Sequence, residues 1–269
     1  MDLNLTGKLA LVTGGSRGIG RAIARGLAAE GCDVAISALH EGPLAEAAAA
    51  LSGETGSTVE GFAADLTKAD AAQRMVARVI ERFGRVDILV NNAGAAPGGV
   101  LETLSEDDWA LALQLKFMGY VRVMKHVLPH MVARGGGRVV NLIGNDGIKH
   151  SYWEIAPGAA NAAGQNLTMS LAGQYGRHNV TFVAVNPGPV RTERWDGLVR
   201  AMARDMKISV EEADALAPRS IPVGRIAEPE EVADLVTFLA SERAHYVNGT
   251  MIEIDGGQQK PIMDVARDG

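Results

Sequence analysis

The sequence predicts an α/β protein in which helices cover both faces of a seven-stranded parallel β-sheet. Short apolar segments alternate with longer amphipathic segments along the 269 residues. The short segments are almost continuously apolar, as is typical of strands that are covered on both sides. A repeated strand–helix–strand order gives parallel strands joined by crossover helices. The seven strands are predicted at 9–13, 34–37, 58–63, 87–91, 138–143, 181–186 and 251–254.

Helices are predicted between these strands, and the segment 19–30 is an example. Its residues Ile19, Ile23 and Leu27 share one face, as expected for a helix that packs on a sheet. No Pro/Ser-rich linker divides the chain, so residues 1–257 are predicted to form a single domain. This domain includes a helical insertion at about 189–225. Residues 258–269 form a C-terminal tail to which the sequence assigns no element.

The composition excludes several classes of protein. The chain is 47% apolar and 22% charged, which is ordinary for a globular protein. A net charge of −6 and a pI near 5.6 argue against nucleic acid or an anionic membrane as the main partner. The single cysteine, Cys32, forms neither an internal disulfide nor a multi-cysteine metal site, and no metal is expected. The N-terminus lacks signal-peptide features, so a cytoplasmic protein is predicted.

A glycine-rich loop follows the first predicted strand and opens the first helix, with the sequence TGGSRGIG at 13–20. Glycines permit a tight turn there and let backbone N–H groups approach a pyrophosphate at the helix N-terminus. A plain turn is the alternative. However, the strand–loop–helix context is the one that a dinucleotide site requires. The loop therefore predicts a dinucleotide-binding site.

The spacing Gly-x-x-x-Gly-x-Gly in this loop resembles the first motif of the short-chain dehydrogenase/reductase family. The resemblance extends to about Gly257 through further motifs in the family's order: Asp65-Leu66, NNAG at 91–94, the strand containing Asn141, Asn186-Pro187-Gly188 and Asp255-Gly256-Gly257. It implies a single Rossmann-type three-layer domain with the cofactor at the carboxyl ends of the strands. It also implies that the insertion at about 189–225 covers the substrate.

The resemblance further implies which residues bind the cofactor. Asp65 would contact the adenine, while Pro187 and the residues after it would face the nicotinamide half. A role in a turn at the strand end is the alternative for Asn91 and Asn92. The cofactor-binding residues implied in this way are Gly14, Ser16, Arg17, Gly18, Ile19, Gly20, Asp65, Leu66, Asn91, Ala93, Gly94, Pro187, Gly188, Val190 and Thr192.

The choice of dinucleotide depends on the end of the second strand. NAD-binding sites of this type place an acidic residue there, but this sequence has Ala38. Glu41 comes later and is expected in the following turn. Arg17 could pair with a 2′-phosphate, whereas Leu39 stands where many NADP-binding relatives have arginine. The sequence favours NADP over NAD.

The family's chemistry uses a Tyr-x-x-x-Lys pair, a serine and an asparagine, and this sequence differs at all four positions. Pro157 stands at the tyrosine position, Asn161 at the lysine position, Gly144 at the serine position and Lys116 at the asparagine position. None of the four tyrosines is followed by lysine four residues later, so no shift of alignment restores the pair. The catalytic set is therefore predicted to be non-standard.

Lys116 and Asn161 are the candidate catalytic residues. Lys116 falls on an apolar stripe of its helix, although Phe117 could fill that stripe and turn Lys116 outward. An inward lysine loses hydration, which lowers its pKa and suits a general acid, with Asn161 as hydrogen-bond partner. A snorkelling surface lysine is the alternative. The stripe comprises Trp109, Leu113, Tyr120, Met124, Val127 and Met131.

Four further polar residues lie near the expected cleft. Asn145 and Asp146 follow the fifth strand and could contact substrate, but a turn at 144–147 is the favoured interpretation. His150 and Tyr152 are expected to be loop residues rather than catalysts.

The predicted function is hydride transfer between NAD(P) and a small carbonyl or alcohol substrate. The alternatives are a catalytically silent dinucleotide-binding protein and a lyase or isomerase on the same fold. The helical segments 109–131 and 159–171 are apolar on more than one face. Relatives pair these helices, so a homodimer or homotetramer is predicted.

Overall fold

A computed structural model describes residues 1–268, and the side chains of residues 1–266. Within this range the chain forms one seven-stranded parallel sheet, with strand order 3-2-1-4-5-6-7. The strands are β1 (Leu9–Thr13), β2 (Asp33–Ala38), β3 (Val59–Ala63), β4 (Ile88–Asn91), β5 (Gly137–Leu142), β6 (Val180–Pro187) and β7 (Thr250–Ile254). The order reverses between β1 and β4, the point at which open α/β sheets leave a crevice for ligands.

The described α-helices are α1 (Gly18–Ala29), α2 (Glu41–Thr55), α3 (Ala69–Phe83), α4 (Glu106–Leu111), α5 (Met118–Ala133), α6 (Ile155–Tyr175), α7 (Glu193–Met206), α8 (Val210–Asp214), α9 (Ala217–Ser220), α10 (Pro229–Ala240) and α11 (Ile262–Asp268). A π-helical segment, Ala112–Phe117, joins α4 to α5. Helix α6 begins at Ile155, so Pro157 lies in its first turn, where proline is tolerated.

Two apolar cores lie on opposite faces of the sheet, since successive strand residues point to opposite sides. Ala10 and Val12 of β1 face one core, which includes side chains of α1, α2 and α10. Leu9 and Leu11 face the other, which includes side chains of α3, α5 and α6. This arrangement confirms the predicted three-layer α/β fold.

A third core joins the insertion to the C-terminal tail. Side chains from α7, α8 and α9 pack together with Trp153, which precedes α6. Ile262 and Met263 of α11 are buried in the same core. The tail that received no element from the sequence is therefore helical over 262–268 and packs against the insertion.

The apolar stripe predicted on the long helix is buried only in its second half. Tyr120, Met124, Val127 and Met131 are buried, whereas α4 buries none of its residues and Leu113 is 38% exposed. The π-helical segment explains the difference, because a π turn holds more residues than an α turn and shifts the faces on its two sides. The expectation that Trp109 and Leu113 face inward with Tyr120 is therefore wrong.

No helix among residues 1–268 combines the length and the apolar character that crossing a membrane requires.

Candidate active site

A cavity of about 840 Å³ lies at the carboxyl ends of the strands. Loops that follow β1, β2, β3, β4, β5 and β6 all contribute to its wall. Most of the residues singled out in the sequence line it: Gly14, Ser16, Arg17, Gly18, Ile19, Gly20, Asp65, Leu66, Ala93, Gly94, Lys116, Gly144, Asn161, Pro187, Gly188, Val190 and Thr192. Asn91 and Pro157 lie outside this lining.

The glycine loop after β1 is packed so closely that Gly20 has no room for a side chain. A Cβ atom there would overlap the carbonyl oxygen of Gly14 and the Nδ2 atom of Asn92. Asn92 Nδ2 lies 3.0 Å from the carbonyl oxygen of Thr13, to which it donates a hydrogen bond. The loop therefore presents backbone rather than side chains to the cavity at the start of α1. These residues fit the pyrophosphate of a dinucleotide.

Asn91 lies behind the wall of the cavity, where it forms hydrogen bonds within the protein. It is fully buried at the end of β4, and its Nδ2 atom donates to Asn141 Oδ1 at 2.9 Å. Asn141 Nδ2 in turn donates to Thr168 Oγ1 at 2.9 Å. This chain of hydrogen bonds ties β4, β5 and α6 together. Asn91 therefore fixes the floor of the site, and its side-chain amide is directed to Asn141.

The end of β2 borders the part of the cavity nearest the glycine loop. Residues 37–40 line this region without an acidic side chain, while Glu41 is the first residue of α2 and lies outside the lining. Arg17 lines the same cavity, and its Nη1 atom lies 3.0 Å from Glu193 Oε2. Both side chains of this ion pair are largely exposed. Surface pairs of this kind are weak, so Arg17 is available to an anionic ligand.

Lys116 lies on the π-helical segment and reaches into the cavity. Its stem packs against Gly94, where a Cβ atom would come within 3.0 Å of Lys116 Cγ. Its Nζ atom donates to the carbonyl oxygen of Ile143 at 3.4 Å, just beyond β5. Burial lowers the pKa of Lys116 to about 8, with the Arg194 charge acting in the same direction and Asp146 and Glu154 opposing it. The amine thus titrates near neutral pH inside the cavity.

Asn161 pairs with Asp146 rather than with Lys116. Its Nδ2 atom donates a hydrogen bond to Asp146 Oδ1. The pair occupies the space beside Gly144, where a Cβ atom would lie 2.6 Å from Asn161 Nδ2 and 2.7 Å from Asp146 Oδ1. Gly144 also has φ +141°, which disfavours other residues. A serine at position 144 therefore requires the Asn161–Asp146 pair to move.

Glu154 is a site residue that the sequence analysis missed. It is the N-cap residue of α6, is half-buried and lines the cavity. Burial and the nearby Asp146 raise the pKa of Glu154 to about 7, against the opposing charges of Arg194 and Lys116. No local sequence signal marks Glu154, because an acidic residue is favourable at any helix N-terminus.

Arg194 is the second missed residue, and it lies at the start of α7. Its guanidinium lies 3.4 Å from the carbonyl oxygens of both Gly94 and Ala96. These contacts join the insertion to the loop that follows β4. The cavity therefore brings together two cationic and two acidic side chains, which we call the charged group: Lys116, Asp146, Glu154 and Arg194.

Asn145 anchors the loop after β5, which forms a 3₁₀ turn at Asn145–Gly147 as expected. Its Nδ2 atom donates to Gln258 Oε1 at 2.7 Å and to Asp255 Oδ2 at 3.2 Å. Lys149 forms ion pairs with Asp255 and Glu253 beside it. His150 is exposed and, like Tyr152, lies outside the cavity lining.

Known proteins share this fold and much of this sequence. A model of the short chain dehydrogenase family matches residues 8–203. The 3-oxoacyl-(acyl-carrier-protein) reductase FabG of Vibrio harveyi is 33% identical over 255 residues, which cover 95% of this chain and 98% of the relative. Oxidoreductase UcpA of Salmonella typhimurium is 37% identical over 258 residues, covering 96% of each chain.

Solved structures agree with these matches. L-sorbose reductase from Gluconobacter frateurii, in complex with NADPH and L-sorbose, superposes with a TM-score of 0.90 at 32% identity. The alignment covers 97% of this chain and 100% of that one. A variant of actinorhodin polyketide ketoreductase with NADPH gives a TM-score of 0.91 at 32% identity, covering 95% and 98%. The chain belongs to the short-chain dehydrogenase family and is an oxidoreductase of that family.

Proposed function

We propose that the protein interconverts a carbonyl compound and its alcohol with NADP as cofactor and Lys116 as the proton-handling group. The observation that carries this proposal is the Lys116 amine inside the cavity, with a pKa of about 8. A bound nicotinamide dinucleotide supplies or accepts the hydride. The residues of the chain must then hold the carbonyl oxygen and move one proton.

Lys116 suits the proton transfer in both directions. At neutral pH the amine is mainly protonated and acidic enough to protonate the oxygen of a carbonyl during reduction. In alcohol oxidation the neutral amine, which predominates above pH about 8, takes the proton from the hydroxyl. The Ile143 carbonyl oxygen holds the amine in place between turnovers. Lys116 thereby takes the role that the family gives to tyrosine, which Pro157 cannot perform.

The preference for NADP rests on charge at the end of β2. No acidic residue lines the cavity at positions 37–40, and the Arg17 guanidinium is available to a 2′-phosphate. The sorbose reductase and polyketide ketoreductase structures contain NADPH, which supports the same choice. Cys32, the single cysteine, is buried and unpaired. It is compatible with the cytoplasmic location that we propose.

A carbonyl panel with each cofactor tests the proposal. Purified protein should consume NADPH with at least one ketone or aldehyde, and NADH more slowly. Binding of both dinucleotides should be measured by calorimetry on the same sample. Tight binding without consumption on a broad panel, in either direction, would favour the catalytically silent alternative. Chemical change of a substrate without net oxidation of NADPH would favour a lyase or isomerase.

A further inference from the structure

The cavity has an apolar end that belongs to the third core rather than to the sheet. Its side chains come from the segment before α6, from α7 and from α11. We call the following residues the apolar end: Trp153, Trp195, Leu198, Met202, Ile262 and Met263. Five of the six are at least 93% buried, so packing fixes their positions before any ligand arrives.

Both indole groups direct their polar atom into a hydrogen bond with the protein. Trp153 Nε1 donates to Asp205 Oδ2 at 2.8 Å, and Trp195 Nε1 donates to Asp214 Oδ1 at 2.6 Å. The indole N–H is the only polar atom of a tryptophan side chain. Each indole is at least 97% buried and lines the cavity only with carbon, so half-buried Leu198 is the member of the apolar end most open to a ligand. A substrate at this end finds apolar surface without a side-chain donor from either tryptophan.

The Trp153 ring is additionally fixed by the loop that follows β4. A Cβ atom on Gly98 would overlap the six-membered ring of Trp153. The Gly99 N–H also donates to the Trp153 carbonyl oxygen at 2.7 Å. The indole thus rests against backbone and has no space in which to rotate away. A rigid, preformed apolar wall selects ligands by shape and by apolar area.

The apolar end adjoins the charged group along the chain. Trp153 is next to Glu154, and Trp195 is next to Arg194. The charged group has two side chains of each sign, and the pKa values of Lys116 and Glu154 are about 8 and about 7, so it offers no strong excess of either charge to a ligand. The cavity therefore has one region lined by the charged group and one region lined by the apolar end.

We propose that the substrate is a neutral ketone, or the corresponding alcohol, whose carbonyl carbon bears a ring-sized apolar group. The carbonyl oxygen points to Lys116, and the apolar group packs on the apolar end, against its half-buried member Leu198. The carbonyl part of this inference rests on the proposed function, whereas the apolar part rests on the cavity wall alone. Polyhydroxylated ketones should bind more weakly, because hydroxyl groups placed at the apolar end lose water without gaining partners there.

The test measures binding separately from turnover, with acetophenone, butanone and dihydroxyacetone as probes. Calorimetry or ligand-observed NMR is run on the full chain, with and without NADP⁺, which cannot donate a hydride. Acetophenone should bind at least about tenfold tighter than butanone, because burying its additional carbons in an apolar pocket contributes enough binding free energy for that difference. Dihydroxyacetone should bind more weakly than both.

Two variants test whether the apolar end causes the preference for acetophenone. Leu198→Asp places a charge on a half-buried position and should abolish the preference for acetophenone while the affinity for NADP⁺ stays within about twofold. Trp195→Ala should reduce the preference at least about tenfold. The matched control is Trp109→Ala, because Trp109 is half-buried and lies outside the cavity lining. That control should keep the full preference.

Equal binding of acetophenone and dihydroxyacetone by wild type would overturn the inference. So would an unchanged preference in a folded Leu198→Asp variant. These outcomes are distinct from failure of the proposed function. Preferential acetophenone binding without NADPH consumption on any ketone would refute the proposed reaction and leave the apolar site intact. NADPH consumption with dihydroxyacetone but not with acetophenone would support the proposed reaction and refute the apolar site.

Discussion

The Nζ atom of Lys116 lies 3.4 Å from the carbonyl oxygen of Ile143 and donates a hydrogen bond to it. The contact joins the π-helical segment to the residue that follows β5. It brings the lysine amine to the side of Gly144, where the family's serine would stand. A π-helical interruption frequently marks a functional site, since it turns a side chain out of the regular helical register. The proton-handling group that we propose therefore enters from a different helix than the family's tyrosine.

The pH dependence of reduction should follow the charges around Lys116. Reduction requires the ammonium form, so the rate should fall as the pH rises through the Lys116 pKa of about 8. Glu154 stabilises the ammonium, so Glu154→Gln should lower this pKa. The fall in rate, which we call the limb of the pH profile, should then move to lower pH. Arg194 destabilises it, and Arg194→Gln should move the limb to higher pH. The measurement is kcat/KM for reduction across the pH range.

The control for this pair is Glu211→Gln, because Glu211 is exposed on α8 and lies outside the cavity lining. Its profile should match wild type. Shifts of Glu154→Gln and Arg194→Gln in the same direction would contradict the assignment of the limb to Lys116.

Gly20→Asp should abolish dinucleotide binding. A side chain there overlaps the Gly14 carbonyl oxygen and the Asn92 amide, and a carboxylate repels the pyrophosphate. Calorimetry should find micromolar-range affinity for NADPH in wild type, as is typical of such sites, and none in the variant. Gly53→Asp is the control, because a Cβ atom on Gly53 meets nothing within 4 Å. Retained affinity in a folded Gly20→Asp protein would show that the dinucleotide does not bind at this loop.

Arg17→Gln should weaken NADPH binding about tenfold or more while NADH binding changes little. The reason is the lost charge-assisted hydrogen bond to the 2′-phosphate, an interaction that is strong for arginine. Arg25→Gln is a suitable control, since Arg25 also pairs with a glutamate, Glu54, but lies outside the cavity lining. An equal loss for NADPH and NADH in Arg17→Gln would instead indicate a contact with the shared pyrophosphate.

We predict a homo-oligomer with two-fold symmetry. Leu113 is 38% exposed on the π-helical segment, and the small residues Ala159 and Ala162 are exposed on α6. Exposed apolar surface of this kind is typical of an interface between copies. Light scattering at micromolar concentration should give a dimer or tetramer. A particle of 28.3 kDa, the mass of one chain, would contradict the prediction.

Features encoded by local sequence were predictable. The glycine loop before α1 and the alternation of apolar segments depend on residues that are neighbours in the chain. For this reason the fold class and the seven strands could be predicted from the sequence. Each predicted strand end lies within one residue of the observed end.

Features that depend on tertiary surroundings were not predictable. Glu154 looks like an ordinary helix-capping residue, and only the folded chain places it beside Lys116, Asp146 and Arg194. The pairing of Asn161 with Asp146 likewise depends on the turn after β5. The π-helical segment has no sequence signal of its own, so the facing of Trp109 and Leu113 was predicted wrongly.

Single-turnover reduction by Lys116→Met tests whether Lys116 transfers the proton. Methionine keeps the apolar stem but cannot carry a proton, so the hydride-transfer rate should fall at least about 100-fold. The affinity for NADPH should stay nearly unchanged, and the limb near pH 8 should vanish. Lys125→Met, on the exposed face of α5, is the control and should behave as wild type. A folded Lys116→Met protein that reduces the substrate at the full wild-type rate would exclude Lys116 as the group that transfers the proton.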